Sequence, residues 1–277
     1  TAFNGVLFFG IFISTMLILF EGARGKWIIM LPSSLGLISM TFGVWNYWND
    51  ESMAGPLPKY MSIIVTLIYI GGYVSLRSEG VNEGLSDFKP GLKVKDKIAM
   101  ISLILLVLAG LFYSIRMIFT PNDVIAEGFP ANYEGSLSTA AGLGTPLPTQ
   151  VSVTGSLILV YTLWSALVLM DGASGKWAVL HPSAFAFITA TASLYIALIA
   201  GTARNASELN QMDALTGAVV MLLVLISYFR LKGEGMEDGM TFMGKPVEDE
   251  SGFTNSLLLF ALIIGALFTV NVVLLGS

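Results

Sequence analysis

Eight long apolar stretches constrain the fold of this chain more than any other feature of its sequence. A helix needs about 20 mainly apolar residues to cross a bilayer, where no water is present to satisfy an open backbone. The chain is 55% hydrophobic and only 12% charged, with a mean hydropathy of +0.76. We therefore predict an all-α integral membrane protein with about eight transmembrane helices, at residues 2–20, 27–48, 60–76, 98–118, 153–170, 177–200, 214–230 and 255–275.

The distribution of Lys and Arg predicts the orientation, because cytoplasmic loops of membrane proteins contain an excess of positive charge. Of the 14 Lys and Arg residues, only Lys59, Arg116 and Arg204 fall in or beside the even-numbered loops. The odd-numbered loops and their flanks contain the others: Arg24, Lys26, Arg77, Lys89, Lys93, Lys95, Lys97, Lys176, Arg230, Lys232 and Lys245. We expect the odd-numbered loops to be cytoplasmic and both termini to be extracytoplasmic.

The sequence contains an internal repeat. Glu21-Gly-Ala-Arg-Gly-Lys-Trp27 recurs 150 positions later as Asp171-Gly-Ala-Ser-Gly-Lys-Trp177. A second pair follows in the same order, Tyr73-Val-Ser-Leu-Arg-Ser-Glu-Gly80 and Tyr228-Phe-Arg-Leu-Lys-Gly-Glu-Gly235. Because each copy contains an even number of spans, the copies have the same orientation. We predict two parallel four-helix repeats at 1–125 and 153–277, joined by an extracytoplasmic linker at 126–152.

The duplicated turn contains the first candidate site. Each copy places an acid at the C-terminal end of one helix and a lysine at the N-terminal end of the next. Each charge is therefore at the end of its helix where the helix dipole is unfavourable for it. We expect acid and lysine to pair across the turn. The turn is interpreted as a structural anchor or, alternatively, as a docking or anion site on the cytoplasmic face, formed by Glu21, Arg24, Lys26, Trp27, Asp171, Lys176 and Trp177.

A proline follows each turn inside the next helix, where it removes a hydrogen bond and favours a kink. Pro32 and Pro182 precede Ser33 and Ser183, whose hydroxyls are available to the freed carbonyl. The kinks are expected either to shape helix packing or to open a ligand cavity. His181 is the only histidine, and its counterpart in the first copy is Leu31, so it is interpreted as a structural histidine at the interface.

Several classes of function are disfavoured by residues that the sequence lacks. There is no cysteine, and one histidine cannot form a bis-histidine haem site or a zinc triad, so no metal site is predicted. No charged residue lies at the centre of a predicted span, which argues against proton-coupled transport. No nucleophile or nucleotide-binding motif is present. We predict no catalytic activity and no nucleic-acid partner.

Two functions remain. The first is a non-catalytic subunit of a larger membrane complex, respiratory or otherwise energy-converting, that scaffolds other membrane-protein subunits and helps to form a quinone or lipid pocket. The alternative is a transporter or channel for a neutral small solute through a cavity between the repeats. Asn205-Ala-Ser207 fits the glycan acceptor pattern in a predicted outer loop and gives the orientation an independent test.

Overall fold

The computed structural model describes residues 2–48, 55–128, 147–199, 206–242 and 245–246. These residues are almost entirely helical, as predicted. A short 3₁₀ helix spans Leu76–Glu79, and two antiparallel two-residue strands, β1 (Thr241–Phe242) and β2 (Lys245–Pro246), follow the last described helix. The helices are α1 (Ala2–Glu21), α2 (Trp27–Tyr47), α3 (Leu57–Ser75), α4 (Lys97–Phe119), α5 (Pro121–Gly128), α6 (Leu147–Asp171), α7 (Trp177–Ile199) and α8 (Ala206–Lys232).

Five helical segments among the described residues are long and apolar enough to cross a membrane: Asn4–Glu21, Trp27–Tyr47, Leu57–Glu79, Lys97–Phe119 and Pro148–Asp171. α7 adds a shorter apolar stretch, Trp177–Ala192. Large apolar side chains are exposed on these helices, which a bilayer would cover. Embedding in a lipid bilayer is therefore supported. The predicted span 255–275 and Asn205 lie outside the described residues, and the count of eight spans and the orientation stay predictions.

Two helices begin well before their predicted starts, and one helix was not predicted. α6 begins at Leu147, six residues before the predicted start at 153, because Pro148 fits a first helical turn, where no amide donor is needed. α8 begins at Ala206 rather than near 214, since the polar residues that precede its apolar part include good helix formers. α5 was not predicted. It follows directly on α4, and an ion pair of 2.6 Å between Arg116 and Glu127 joins the two.

α6 lies at the centre of the bundle. It packs along α2 on one side and along α4 on the other. α1 packs along α7, α8 contacts both α4 and α7, and α3 packs on α2. The largest fully buried side chains, Trp164 and Tyr161, are on α6. The Tyr161 hydroxyl donates to the Leu7 carbonyl at 2.7 Å and so links α6 to α1.

Glycines allow the helix backbones to approach closely at the crossings with α6. A Cβ atom on Gly36 of α2 would overlap Val160, and one on Gly110 of α4 would overlap Thr162. Helices in membranes associate largely through such close van der Waals packing, because lipid tails are as apolar as the side chains. These two crossings hold α2, α6 and α4 together as the core that positions the candidate site.

Candidate functional site

The two copies of the duplicated turn adopt the same backbone conformation. Gly22 and Gly172 have φ values of 81° and 87°, and Gly25 and Gly175 have values of 69° and 68°. This left-handed region is open to glycine and costly for other residues. The need for a positive φ at the same two positions of each turn therefore explains why glycine occurs there in both copies of the motif.

Each turn is hydrogen-bonded to the second repeated motif of its own copy. The Gly25 amide donates to the Gly80 carbonyl at 3.0 Å, and the Gly175 amide donates to the Gly235 carbonyl at 2.9 Å. The Trp27 amide also donates to the Val81 carbonyl at 2.9 Å. These amides are occupied within the chain and do not form an open nest for an anion. Docking on this face stays a prediction.

Substitution of Gly175 by alanine should destabilise the protein by about 1–2 kcal/mol, the usual cost of a left-handed conformation for a residue with a Cβ atom. The cause is the φ value, since the nearest atom to an added Cβ would be the Asp238 carbonyl oxygen at 3.6 Å. Thermal unfolding in detergent measures the effect. Gly233→Ala, in the same region but without a positive φ, is the control. Equal losses in the two variants would contradict this explanation.

The charges of the turns form ion pairs, one of which connects the two halves of the chain. The Asp171 carboxylate contacts Lys176 across its own turn at 2.8 Å, as expected from the sequence, and also Lys93 of the preceding loop at 3.0 Å. In the first turn, Arg24 pairs with Glu83. At the corresponding positions of the second copy, the Ser174 hydroxyl donates to Asp238 at 2.9 Å. Sequence reasoning missed Lys93, because nothing in the motif points to a loop 78 positions away.

Lys26 reaches across to the second copy. Its ammonium lies 5.6 Å from the centre of the Trp177 ring, close enough for a cation–π contact. Burial lowers the pKa of Lys26, and the nearby Glu21 carboxylate opposes this shift. Trp27 packs edge-on against Phe88 with ring centroids 5.5 Å apart. The predicted turn residues are therefore placed mainly in contacts within the chain.

A second polar contact joins the start of α4 to the end of α8. Asp96 is the N-cap of α4, and its carboxylate accepts from the amides of Ile98 at 3.0 Å and Ala99 at 2.9 Å and pairs with Arg230. Glu234 accepts hydrogen bonds from the amides of Lys95 and Asp96. The Arg230 guanidinium, followed by the backbone amides of Ala99 and Ile98, lowers the pKa of the Asp96 carboxyl.

Acidification should therefore weaken the contact between α4 and α8. Because the folded pKa of Asp96 is lowered, its contribution is complete above the unfolded value of about 4 and is lost as the pH falls through the lower folded value. Asp96→Asn should be less stable than the parent at neutral pH and should lose less on acidification. Melting temperatures between pH 7 and pH 3 test this, with the exposed Asp87→Asn as control. If the melting temperatures of Asp96→Asn and the parent fell equally between pH 7 and pH 3, this role of Asp96 would be refuted.

His181 is part of a cluster that occurs only in the second copy. Its Nδ1 atom lies 3.1 Å from the Tyr228 hydroxyl, and its Nε2 atom lies 3.8 Å from Glu237. Lys232 contacts the same Glu237 carboxylate at 3.0 Å. In the first copy Leu31 replaces the histidine, and the Tyr73 hydroxyl donates directly to Asn82 at 2.7 Å. Within the described parts of the chain, no three His, Cys, Asp or Glu side chains are grouped to hold a metal ion.

The two helix prolines lie in the interior of the bundle, Pro32 in α2 and Pro182 in α7. Pro32, Pro182 and their following serines, Ser33 and Ser183, are buried. The Ser183 hydroxyl donates to the Val179 carbonyl at 2.6 Å, and not to the carbonyl of residue 178 that the proline frees. A Cβ atom on Gly10 of α1 would lie 3.1 Å from the Pro182 carbonyl oxygen. Pro182 is thus at a helix contact and does not line the cavity described next.

An apolar cavity of about 270 Å³ lies between α4, α6, α7 and α8. Its walls are mainly Leu, Val, Ile, Ala, Met and Phe side chains, and hydroxyl-bearing residues are interspersed among them: Tyr113, Tyr161, Thr162, Ser165, Thr191 and Thr216. Among the described residues that line it, none is charged. The sequence suggested a cavity at the prolines only as an alternative to a kink that shapes helix packing. The cavity is instead formed by residues of four helices that no local motif marks.

The cavity depends on small residues that the first copy replaces by large ones. With the spacing of the first motif, Thr162 corresponds to Phe12, and with that of the second motif, Val224 corresponds to Tyr69. The Tyr69 hydroxyl lies 3.1 Å from the Thr15 hydroxyl, and Thr15 corresponds to Ser165 of the cavity wall. Comparison of the two copies could have revealed the cavity from the sequence, because the second copy has Thr and Val where the first copy has Phe and Tyr.

No protein-family model, curated protein or solved structure shows significant similarity to this chain. The functional argument therefore rests on the geometry of the cavity and of the polar face, which is the ion-paired surface that contains Lys93, Asp96, Asp171 and Arg230.

Proposed function

We propose that this protein is a non-catalytic subunit of a larger membrane complex and that its cavity holds part of a lipid or quinone molecule. The observation that carries the proposal is the cavity between α4, α6, α7 and α8, with apolar walls, several hydroxyls and no charge. This is the chemistry of a lipophilic ligand with one or two hydrogen-bonding groups. Its volume is near the lower limit of roughly 300 Å³ for ligand pockets, so it suits a ring or a segment of chain.

The proposal includes the organisation of the chain as two parallel four-helix repeats. It is supported by equal φ values at the paired glycines and by equivalent hydrogen bonds between the repeated motifs. A further pair of contacts agrees with it. The Thr41 hydroxyl of α2 donates to the Ser62 carbonyl at 3.1 Å, and its counterpart on α7, Thr191, donates to the Gly217 carbonyl at 3.4 Å.

A scaffolding role is supported by the inner polar face. Contacts such as Lys93–Asp171 and Arg230–Asp96 tie loops of the first half to helices of the second. A face tied together in this way presents a fixed surface, which lowers the ordering cost of binding a partner. The Arg24 side chain remains 81% exposed on it. The identity of the complex stays a prediction.

Organic extraction of the purified protein, followed by mass spectrometry, tests the ligand part of the proposal. We expect one class of lipid or quinone to be retained at a roughly fixed ratio to protein after exchange into lipid-free detergent. Extracted material that merely follows the composition of the source membrane, and that washes away with detergent exchange, would count against a specific site.

Transport of a neutral solute is the second candidate. It is favoured by the position of the cavity, which is bounded by α4 of the first predicted repeat and by α6, α7 and α8 of the second. Proteoliposomes loaded in parallel with glycerol and urea distinguish the two functions. The subunit proposal expects fluxes equal to those of protein-free vesicles, and a saturable flux would favour transport.

A further inference from the structure

We propose that the open apolar face formed by α1 and α3 is the docking site of residues 255–275 of the same chain. On this proposal the segment packs on α1 and α3 as α4 packs on α6 and α8. The inference rests on the two-repeat organisation proposed above and is independent of the ligand in the cavity.

Several contacts between helices have a counterpart in which each helix is replaced by the corresponding helix of the other repeat. The packing of α2 along α6 is matched by that of α7 along α1, and the packing of α2 on α3 is matched by that of α7 on α8. Two extensive contacts, α4 with α6 and α4 with α8, have no match among the described helices. Their counterparts would be contacts of a further helix with α1 and with α3.

The sequence of 255–275 resembles that of α4 at the positions that make these contacts. Gly110-Leu-Phe-Tyr-Ser114 of α4 is matched 155 positions later by Gly265-Ala-Leu-Phe-Thr269. The same spacing relates Tyr73 to Tyr228 in the second motif. Gly110 is the residue at which α4 closely approaches Thr162 of α6. Gly265 therefore corresponds to the glycine of a helix crossing.

The face of α1 and α3 that would receive the segment is exposed, whereas the corresponding face of α6 and α8 is covered by α4. A Cβ atom on Gly155 of α6 would lie 2.6 Å from the Met117 Cβ atom of α4, whereas one on Gly5, its counterpart on α1, would have no neighbour within 4 Å among the residues that the structure describes. Phe12, the counterpart of Thr162, is 54% exposed. On α3, Val65 and Ile68 are 42% and 69% exposed and correspond to Val220 and Leu223 of the cavity wall.

The last described residues of the chain also lie near α1. β1 contacts α1, and β2 ends at Pro246. The residues between Pro246 and position 255 span roughly 30 Å when fully extended. This length is ample for the segment to start against the inner end of α1 or α3.

Disulfide formation tests the docking directly, because the chain contains no cysteine. The test pairs are Phe12→Cys with Gly265→Cys and Gly5→Cys with Val272→Cys. The reference pair is Gly110→Cys with Thr162→Cys, for which a Cβ atom on Gly110 would lie 3.1 Å from that of Thr162. Leu108→Cys with Gly265→Cys is the mismatched pair, since Leu108 is 61% exposed on α4. Full-length variants are oxidised in membranes, and linked peptides are identified by mass spectrometry.

We expect both test pairs to be linked to the same extent as the reference pair and the mismatched pair to remain reduced. Linkage of the reference pair without linkage of either test pair, in variants that elute as single species, would overturn the docking. Linkage of the mismatched pair would overturn it as well, because the segment would then lie on α4. Neither outcome changes the retention of a lipid or quinone, which tests the cavity separately.

Discussion

Replacement of Gly36 by leucine is expected to lower the melting temperature of the detergent-solubilised protein by roughly 2–12 °C, the shift that overpacking by about 1–3 kcal/mol produces in a chain of this size. Gly36 is buried on α2, where an added Cβ atom would overlap Val160 and lie 3.2 Å from the Ser156 carbonyl oxygen. Both neighbours are on α6. The added side chain must therefore separate two helices of the core.

Gly71→Leu is the matched control, because Gly71 is also a helical glycine but is exposed on α3, where an added Cβ atom would have no described residue within 4 Å. We expect its melting temperature to equal or exceed that of the parent, since leucine favours helix more than glycine does. If the two variants melted together, the close approach of α2 and α6 would not be a determinant of stability.

Replacement of Val224 by tyrosine is expected to remove the retained lipid or quinone, with at least a tenfold loss of occupancy if about 1.4 kcal/mol or more of contact is lost. Val224 is 8% exposed and lines the cavity. The new ring would occupy the position that Tyr69 takes in the first copy, and its hydroxyl would find Ser165 where Tyr69 finds Thr15. The cavity would thus be filled in a way that the fold already tolerates.

Val219→Tyr is the control for this substitution, because Val219 is on the same helix but is 47% exposed and does not line the cavity. Occupancy is measured by mass spectrometry of the organic extract, with the melting temperature as a check on folding. A folded Val224→Tyr variant that retains the ligand at the parent ratio would place the ligand elsewhere.

Much of the fold follows from patterns that a sequence displays directly. Long apolar runs predict helices because the bilayer leaves the backbone no other partner, and the described helices occupy the predicted stretches. The glycines at 22, 25, 172 and 175 could be recognised because a left-handed turn requires that residue at a fixed position. The largest differences are the unpredicted α5 and the early starts of two helices, at Leu147 and at Ala206, where local propensity extended a helix beyond its apolar part.

The candidate site was less predictable, because its residues meet only through packing. Lys93 pairs with Asp171, and Glu237 lies beside His181, although no spacing in the sequence relates the members of either pair. The cavity is defined by the absence of bulk at Thr162 and Val224. Small side chains at these positions produce no periodic pattern in the sequence. They become visible only when the two copies are compared. The orientation, the repeat as a whole and the predicted turn site stay predictions.

Extraction from native membranes in a mild detergent, followed by quantitative mass spectrometry of everything that co-purifies, tests the central claim most directly. The proposal predicts other membrane-protein subunits at fixed stoichiometry together with a retained lipid or quinone. Recovery of this chain alone, with no partner at fixed stoichiometry under conditions that keep known membrane complexes intact, would contradict the claim that it is a subunit of a larger assembly.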